Sequence, residues 1–509
     1  MNAPELNMNL ADTQNAGVPE RLARSLKDPS LLPTNLYVSG GWAQGARGRF
    51  PVMNPATGEE LCTVAAAGAA DASRAVEAAS AALDGWKART AQERADLMMR
   101  WYELILANAD DLARIMTLEQ GKPLPEARGE VIFGASFVRW YAEEGRRVHG
   151  EILQTYRNDR RVLVMRQPVG VVVAITPWNF PSAMITRKCS PALAAGCTVV
   201  LKPSEDTPLS ALALAELAHR AGFPPGVIGV LPTARENAGE VGDALISHPD
   251  VRKLSFTGST ATGKTLMRKA AEQVLKVSLE LGGNAPLIVF DDADLAKAVP
   301  AAIASKFRNA GQTCTCANRI LVQSGIHDRF VAQFVAAARA IKVGNGFEPG
   351  VQQGPLINEA AMRKVDGHVR DAVASGASVA TGGKVSSAGA LFYEPTVLTG
   401  VDAHSRVCLE ETFGPVAPVV KFETEAQAIE IANGTPYGLA AYFFTENLTR
   451  SLRVSEKLEF GAIGVNEAVI SSETVPIGGM KQSGIGREGA HHGIHEFLEY
   501  KQVTIGGMH

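Results

Sequence analysis

Residues Gly258 to Thr265, GSTATGKT, fit the spacing G-x-x-x-x-G-K-[ST], in which backbone amides, a lysine and a hydroxyl cradle a nucleotide and its magnesium. An apolar run, VRKLSF, precedes the pattern and a helix-like run, TLMRKAAEQVL, follows it. Further on, PLIVFDD supplies an apolar run ending in Asp, which a P-loop ATPase uses behind its metal ion. The same junction is equally a helix N-terminus whose free amides could take some other diphosphate. A second candidate is Cys314, in the Gly- and Thr-rich loop GQTCTC that follows the helix-like AAIASKFRNAG. Its small neighbours leave a thiol accessible, and a reactive thiolate needs that exposure together with positive potential or amide donors. Taken alone, Cys314 stands level with a structural cysteine.

The elements that must position these residues follow from periodicity. Between about residues 70 and 148, DASRAVEAASAALDGW, AQERADLMMRWYELILANADDLARIM and EARGEVIFGASFVRWYAEEGRRV carry apolar residues at helical spacing, so three amphipathic helices are expected. ILQTYRNDRRVLVMRQPVG resembles a polar-turned hairpin. From Gly170 the strands GVVVAITPW, CTVVLKP, VIGVLP and VRKLSFTG alternate with helices, which implies right-handed crossovers and a parallel, doubly wound sheet. A second alternating set starts near Leu279 and runs to about residue 470. Two α/β domains in tandem are the simplest account. FLEYKQVTIGG near the C-terminus alternates enough for an edge strand that pairs with another element or subunit.

Composition excludes several classes of partner. The 509 residues exceed one hydrophobic core, and 20% charged with 46% hydrophobic residues is ordinary for a globular enzyme. A formal charge of −3 gives no reason to expect nucleic acid or an anionic membrane surface. No stretch approaches the roughly 18 consecutive apolar residues of a membrane span. Residues 1–30 lack a secretory apolar core and a transit-peptide composition, so they read as a flexible N-terminal tail and the chain as cytoplasmic. Six cysteines do not make a disulfide framework; Cys62, Cys189, Cys197 and Cys408 read as buried, inert thiols.

Three further patterns carry less than they offer. Gly484–Gly489 in SGIGREGA matches G-x-G-x-x-G, but no strand precedes it and no βαβ unit follows, so it reads as a Gly-rich loop. His491, His492 and His495 could share one helical face, yet no cysteine partner or zincin pattern accompanies them. Cys314 and Cys316 are too closely spaced for a zinc hook. No metal is expected.

PWNFP, FTGSTATG, SLELGG, FRNAGQTC and ETFGP occur here in the order and spacing of the NAD(P)-dependent aldehyde dehydrogenase superfamily. The chain resembles that superfamily from about residue 35 to its end. The resemblance implies two doubly wound Rossmann-like domains plus a small β bridging element: 31–145 and 166–279 NAD-binding, 280–478 catalytic, 146–165 and 479–509 bridging. In such enzymes the loop at Gly258 receives the dinucleotide pyrophosphate, which displaces the ATPase reading.

The transferred roles are chemically coherent. Hydride loss from an aldehyde first needs a tetrahedral alkoxide, which Cys314 would form as a thiohemiacetal. The Asn179 amide and the Cys314 backbone N–H match the family's oxyanion site, and Glu280 matches the base that activates water on the thioester. For the cofactor, the resemblance implies Lys202 and Glu205 at the adenosine ribose and Ser204 among the cofactor-binding residues, with NAD preferred over NADP because Glu205 would repel a 2′-phosphate. Trp178 and Ser259 are expected beside the pyrophosphate, with Gly258 allowing close backbone approach, and Thr176, Pro177 and Leu281 are expected among the cofactor-binding residues. Glu411 and Phe413 resemble the contacts to the nicotinamide ribose and ring. A non-catalytic protein on this fold is the alternative of a different class, and the presence of Cys314, Glu280 and Asn179 weighs against it.

FRNAGQTCTCANR, MITRK and NEAVISSE together resemble the succinate-semialdehyde dehydrogenase branch. In that branch, arginines matching Arg187 and Arg308 and a serine matching Ser471 hold the substrate carboxylate, so succinate semialdehyde is the expected substrate. Glutarate semialdehyde and 2-oxoglutarate semialdehyde share the same carboxylate logic. Cys316 could form a disulfide with Cys314 under oxidation, or be a packed, inert thiol. A homodimer or homotetramer is expected through the bridging element.

Overall fold

Residues 18–508 are described by a computed structural model, in which the expected apolar runs pair into two parallel sheets. In the first, Val171–Ile175, Thr198–Lys202, Ile228–Val230, Val251–Thr257 and Lys276–Glu280 lie in the spatial order third, second, first, fourth, fifth. Every residue of Val171–Ile175 and Thr198–Lys202 is buried, as a sheet covered by helices on both faces requires. The order reverses between Val171–Ile175 and Val251–Thr257. In doubly wound sheets, the crevice beyond the carboxyl ends at such a reversal receives ligands.

The second sheet repeats the design with Ala285–Val289, Ala317–Gln323, Val416–Phe422, Ala440–Phe444 and Ala462–Val465, again in the order third, second, first, fourth, fifth. Thr396–Thr399 and Ser378–Thr381 extend one edge. A separate three-stranded sheet pairs Arg161–Pro168 with Glu151–Leu153 on one side and with Leu498–Ile505 on the other, the latter in an unbroken antiparallel register. Its Ile152, Tyr156 and Tyr500 are exposed in the single chain.

The structure departs from the sequence reading in three places. The long stretch over residues 91–116 is two helices, Ala91–Ala107 and Ala109–Gln120. Asn108 separates them, its side-chain amide donating to the Leu104 carbonyl at 2.8 Å and capping the first. The tail expected over 1–30 is shorter at its inner end: Leu22 and Leu26 are buried against the first core, and Asp28 caps the turn Pro29–Leu31. Residues 1–17 of that expectation lie outside the described residues. Gly484–Ile485, assigned to the bridging element, instead adds an antiparallel edge to the first sheet beside Glu280. Among the described residues, no helix is long and apolar enough to cross a membrane.

Candidate active site

The chain leaves the first sheet at Glu280 and enters the second at Ala285, and beside this crossing lies a cavity of about 820 Å³. Cys314, Glu280 and Asn179 line it together, as do Arg187, Arg308 and Ser471. Trp178, Pro177, Gly258, Ser259, Leu281, Glu411 and Phe413 line the same space. Thr176, Lys202, Ser204 and Glu205 do not line it. They stand at the carboxyl ends of Val171–Ile175 and Thr198–Lys202, on the first sheet.

Cys314 is delivered by a turn that few sequences can make. Asn309, Ala310 and Gly311 all have positive φ (50°, 55° and 73°), an uncommon conformation for the first two. A side chain at Gly311 would meet the Gly414 carbonyl at 2.2 Å. The turn is over-determined by hydrogen bonds: Asn309 Nδ2 donates to the Asn179 carbonyl at 3.0 Å, and Gln120 Nε2 donates to Asn309 Oδ1 at 3.0 Å. On the other side, a Cβ on Gly283 would lie 2.3 Å from the Cys314 carbonyl oxygen, so SLELGG and GQTC touch backbone to backbone. Tyr442 clamps the next residue, its hydroxyl donating to the Thr315 carbonyl at 2.6 Å.

Asn179 is held from both ends. Its side-chain amide donates to the Gln312 carbonyl at 3.0 Å, which fixes the amide and leaves its second N–H for another acceptor. Its backbone carbonyl accepts from Lys122 Nζ at 2.7 Å. Lys122 is a buried cation, 2.5 Å from Glu130 Oε2 and over the Phe180 ring at 4.1 Å. The other oxygen of Glu130 accepts from the backbone N–H groups of Ser182 and Ala183, where the helix Ala183–Ala195 begins. The sequence reading passed over Lys122 and Glu130. KPLPEARGE carries four ionisable residues, Lys122, Glu126, Arg128 and Glu130, and no local signal separates the buried pair from the others.

The electrostatics assign different protonation states to neighbouring groups. Burial, and then the charge of Glu488, push the Glu280 carboxyl up to about 8. Glu488 is held below the usual carboxylate range: burial opposes ionisation, but Lys188 at 2.5 Å and Arg187 at 2.8 Å outweigh it. The Arg187 contact is an ion pair by distance without hydrogen-bond alignment. Burial, and next the Glu411 carboxylate, push the Cys314 thiol up to about 12. Glu411 itself is raised to about 7 by burial while accepting from the Gly283 N–H at 3.0 Å. Glu488 lies in the Gly-rich loop that the sequence reading set aside, and its place between two basic residues could not be seen before the loop was folded against Glu280.

The two arginines differ. Arg187 is buried, engaged with Glu488, and 5.8 Å from the Phe137 ring centroid. Arg308 is exposed at the cavity, with its guanidinium 5.5 Å from the Phe180 ring centroid; it forms no salt bridge among the described residues, and its charge favours the ionised form of Glu126.

The residues around the sheet reversal fit a dinucleotide. Thr176 Oγ1 and Thr257 Oγ1 are buried hydroxyls without a hydrogen-bond partner among the described residues, beside the carboxyl ends of two strands. Ser259 caps the helix Thr260–Ala271 by accepting from Thr262 N at 3.2 Å, which leaves the helix start to an anion. Trp178 and Phe413 meet edge to face at 5.6 Å, with Phe413 at φ +55°. Lys264 and Thr265, which complete the P-loop pattern, are used elsewhere: Lys264 donates to Gln482 Oε1 at 2.7 Å, and Thr265 to the Ala261 carbonyl at 3.2 Å. The strand Ala285–Val289, which Asp291 follows, belongs to the other sheet, so it cannot stand behind this loop as an ATPase requires. Cys316 is buried, donating to the Gly311 carbonyl at 3.4 Å and accepting from Lys306 at 3.7 Å. Cys62, Cys189, Cys197 and Cys408 are buried with thiols raised by burial. His495 faces Arg166 at 2.6 Å.

Comparison with known proteins gives the family and the fold. The profile of the Aldehyde dehydrogenase family matches residues 42–503. A 3-sulfolactaldehyde dehydrogenase of Pseudomonas putida is 55% identical over 95% of this chain and 99% of its own length. A glutarate-semialdehyde dehydrogenase of Pseudomonas aeruginosa is 53% identical over 95% of this chain and 100% of its own. The mitochondrial succinate-semialdehyde dehydrogenase of Rattus norvegicus is 56% identical over 94% and 91%. Crystal structures of a succinate-semialdehyde dehydrogenase from Burkholderia pseudomallei and of an NADP-dependent enzyme from E. coli each superpose with TM-score 0.93 at 53% identity. They cover 95% and 94% of this chain and 100% of their own. The chain belongs to the aldehyde dehydrogenase family and is an NAD(P)-dependent oxidoreductase.

Proposed function

We propose that this family member oxidises succinate semialdehyde to succinate with NAD, Cys314 acting as nucleophile. The observation that carries the substrate is Arg308, a guanidinium in no salt bridge among the described residues, lining the same cavity as Cys314, Arg187 and Ser471. A planar fork of donors suits a carboxylate at the far end of a short aldehyde. Glutarate semialdehyde, 2-oxoglutarate semialdehyde and the sulfonate aldehyde of the Pseudomonas putida relative present the same kind of anion, so chain length is what the assay must rank.

The chemistry assigned to the residues runs as follows. Glu280 takes the Cys314 proton as the sulfur attacks the carbonyl, and the resulting alkoxide is met by the Asn179 amide and the Cys314 backbone N–H. NAD, when bound, supplies the hydride acceptor. Residues at the sheet reversal would hold it: Thr176, Pro177, Trp178, Gly258, Ser259 and Leu281 along its path, Lys202, Ser204 and Glu205 toward the adenosine ribose, Glu411 and Phe413 toward the nicotinamide. The thioester left on Cys314 is hydrolysed by a water that Glu280 deprotonates, and an acceptor raised to about 8 is well matched to that proton. Lys122 and Glu130 are positioning residues, fixing the Asn179 backbone. A homodimer or homotetramer built on the exposed three-stranded sheet, in the cytoplasm, completes the reading.

Its test is reduction of NAD by the purified enzyme with each semialdehyde and with butanal as an uncharged control. Succinate semialdehyde should give the highest kcat/KM. A preference for butanal would overturn the carboxylate assignment.

A further inference from the structure

The strand Thr198–Lys202 ends beside an acidic pair whose salt-bridged cation among the described residues comes from a different loop. Glu205 Oε1 lies 3.1 Å from Arg235 Nε, and Asp206 Oδ2 lies 3.3 Å from Arg235 Nη2. Arg235 opens the short turn Arg235–Asn237, just beyond the neighbouring strand Ile228–Val230. The two carboxylates are about a fifth exposed, at 22% and 20%, whereas the arginine is 63% exposed. Burial, and then the charge of Glu205, push the Asp206 carboxyl up to about 6, so the pair is crowded and relies on the guanidinium. Lys202 is buried and turned to its neighbour's backbone, donating to the Pro203 carbonyl at 3.1 Å.

An acid at this strand end accepts from a ribose 2′-hydroxyl, and an arginine nearby accommodates a 2′-phosphate. This chain holds both groups and ties them together. Counted formally, Lys202 and Arg235 balance Glu205 and Asp206, which suits a neutral ribose. A 2′-phosphate would bring about −1.5 to −2 charges and find its best ligand already engaged twice. We propose that Glu205 and Asp206 select NAD by sequestering Arg235, and that the same guanidinium becomes the ligand of a 2′-phosphate once Glu205 is neutral. The inference rests on the assignment of Lys202 and Glu205 to the adenosine ribose. Arg235 is a latent NADP determinant, masked by its carboxylates.

The experiment compares the full-length enzyme with Glu205→Gln, Glu205→Gln/Arg235→Met and Glu205→Gln/Arg235→Lys. Calorimetric titration with adenosine 2′-monophosphate and adenosine 5′-monophosphate reads binding, and kcat/KM with NADP and NAD reads selectivity. Glu205→Gln should bind the 2′-phosphate roughly tenfold or more tightly than the parent, the size of one charge-assisted hydrogen bond. Adding Arg235→Met should return that affinity toward the parent value, and Arg235→Lys should keep part of the gain. Equal gains with and without Arg235 would overturn the inference while leaving the ribose assignment standing. No change in either nucleotide's affinity on Glu205→Gln would overturn the ribose assignment itself. Thermal unfolding of each variant shows that it is folded before titration, and if Arg235→Met fails to fold, Arg235→Lys alone decides: it must lose part of the gain.

Discussion

Replacing Arg308 by Ala separates carboxylate recognition from catalysis. Arg308 forms no salt bridge with a described residue, so its removal breaks no contact ion pair, although it withdraws a positive charge that favours the ionised form of Glu126. A bidentate guanidinium–carboxylate contact contributes about 1.5–3 kcal/mol. At about 1.4 kcal/mol per factor of ten, the corresponding loss is roughly 10- to 150-fold in kcat/KM. Because Arg308 is exposed, solvent screening places the expected loss in the lower part of that span, roughly 10- to 50-fold. Succinate semialdehyde and butanal should be assayed side by side at fixed, saturating NAD. Succinate semialdehyde should lose the full factor, mostly in KM, while butanal changes less than about threefold, the size of a minor packing effect. Equal losses on both aldehydes would show that Arg308 supports the loop rather than the substrate, and no loss on either would refute its place in recognition.

Arg187→Ala should behave differently, since Arg187 lowers the proton affinity of both Glu280 and Glu488: the rise of kcat with pH should move to higher pH, for charged and uncharged aldehydes alike. Glu280→Gln should abolish that rise near pH 8 and stabilise the fold at alkaline pH. A carboxyl raised above its unfolded value makes the native state bind the extra proton, so its contribution to stability is lost as pH rises from about 4.5 through about 8. Replacement should recover on the order of a few kcal/mol at pH 9 and little at pH 4, read by urea unfolding at both. Lys122→Met leaves Glu130 buried and unpaired and should cost about 3–5 kcal/mol by the same method, with a fall in kcat from the loosened Asn179. Gly283→Ala drives a methyl into the Cys314 carbonyl and should reduce kcat about 100-fold while the far-UV circular dichroism is unchanged.

The sheets and most of the site could be read in the sequence because their signals are local. A buried parallel strand such as VVVAI is apolar along its whole length, and GQTC or LELGG carries its chemistry within a few residues. Asn108 was missed as a helix break because the apolar spacing continues across it. Glu488 and Lys122 were missed because their roles depend on which distant group they meet, the Arg187 guanidinium for Glu488 and the Asn179 carbonyl for Lys122. Glu205 was readable as a strand-end acid, but its partner Arg235 lies thirty residues on, in a turn with no pattern of its own. The P-loop pattern was misleading for the opposite reason: its local spacing is complete, while the second strand it needs belongs to another sheet.

The most direct test of the central claim is the mass of the Cys314-bearing peptide from enzyme quenched in acid during turnover. NAD is present with an equimolar mixture of succinate, glutarate and 2-oxoglutarate semialdehydes. The account predicts that the dominant adduct is a succinyl thioester on Cys314, absent from Cys314→Ser. A dominant glutaryl or oxoglutaryl adduct would contradict the substrate, and nicotinamide reduction with Cys314 unmodified would contradict the mechanism.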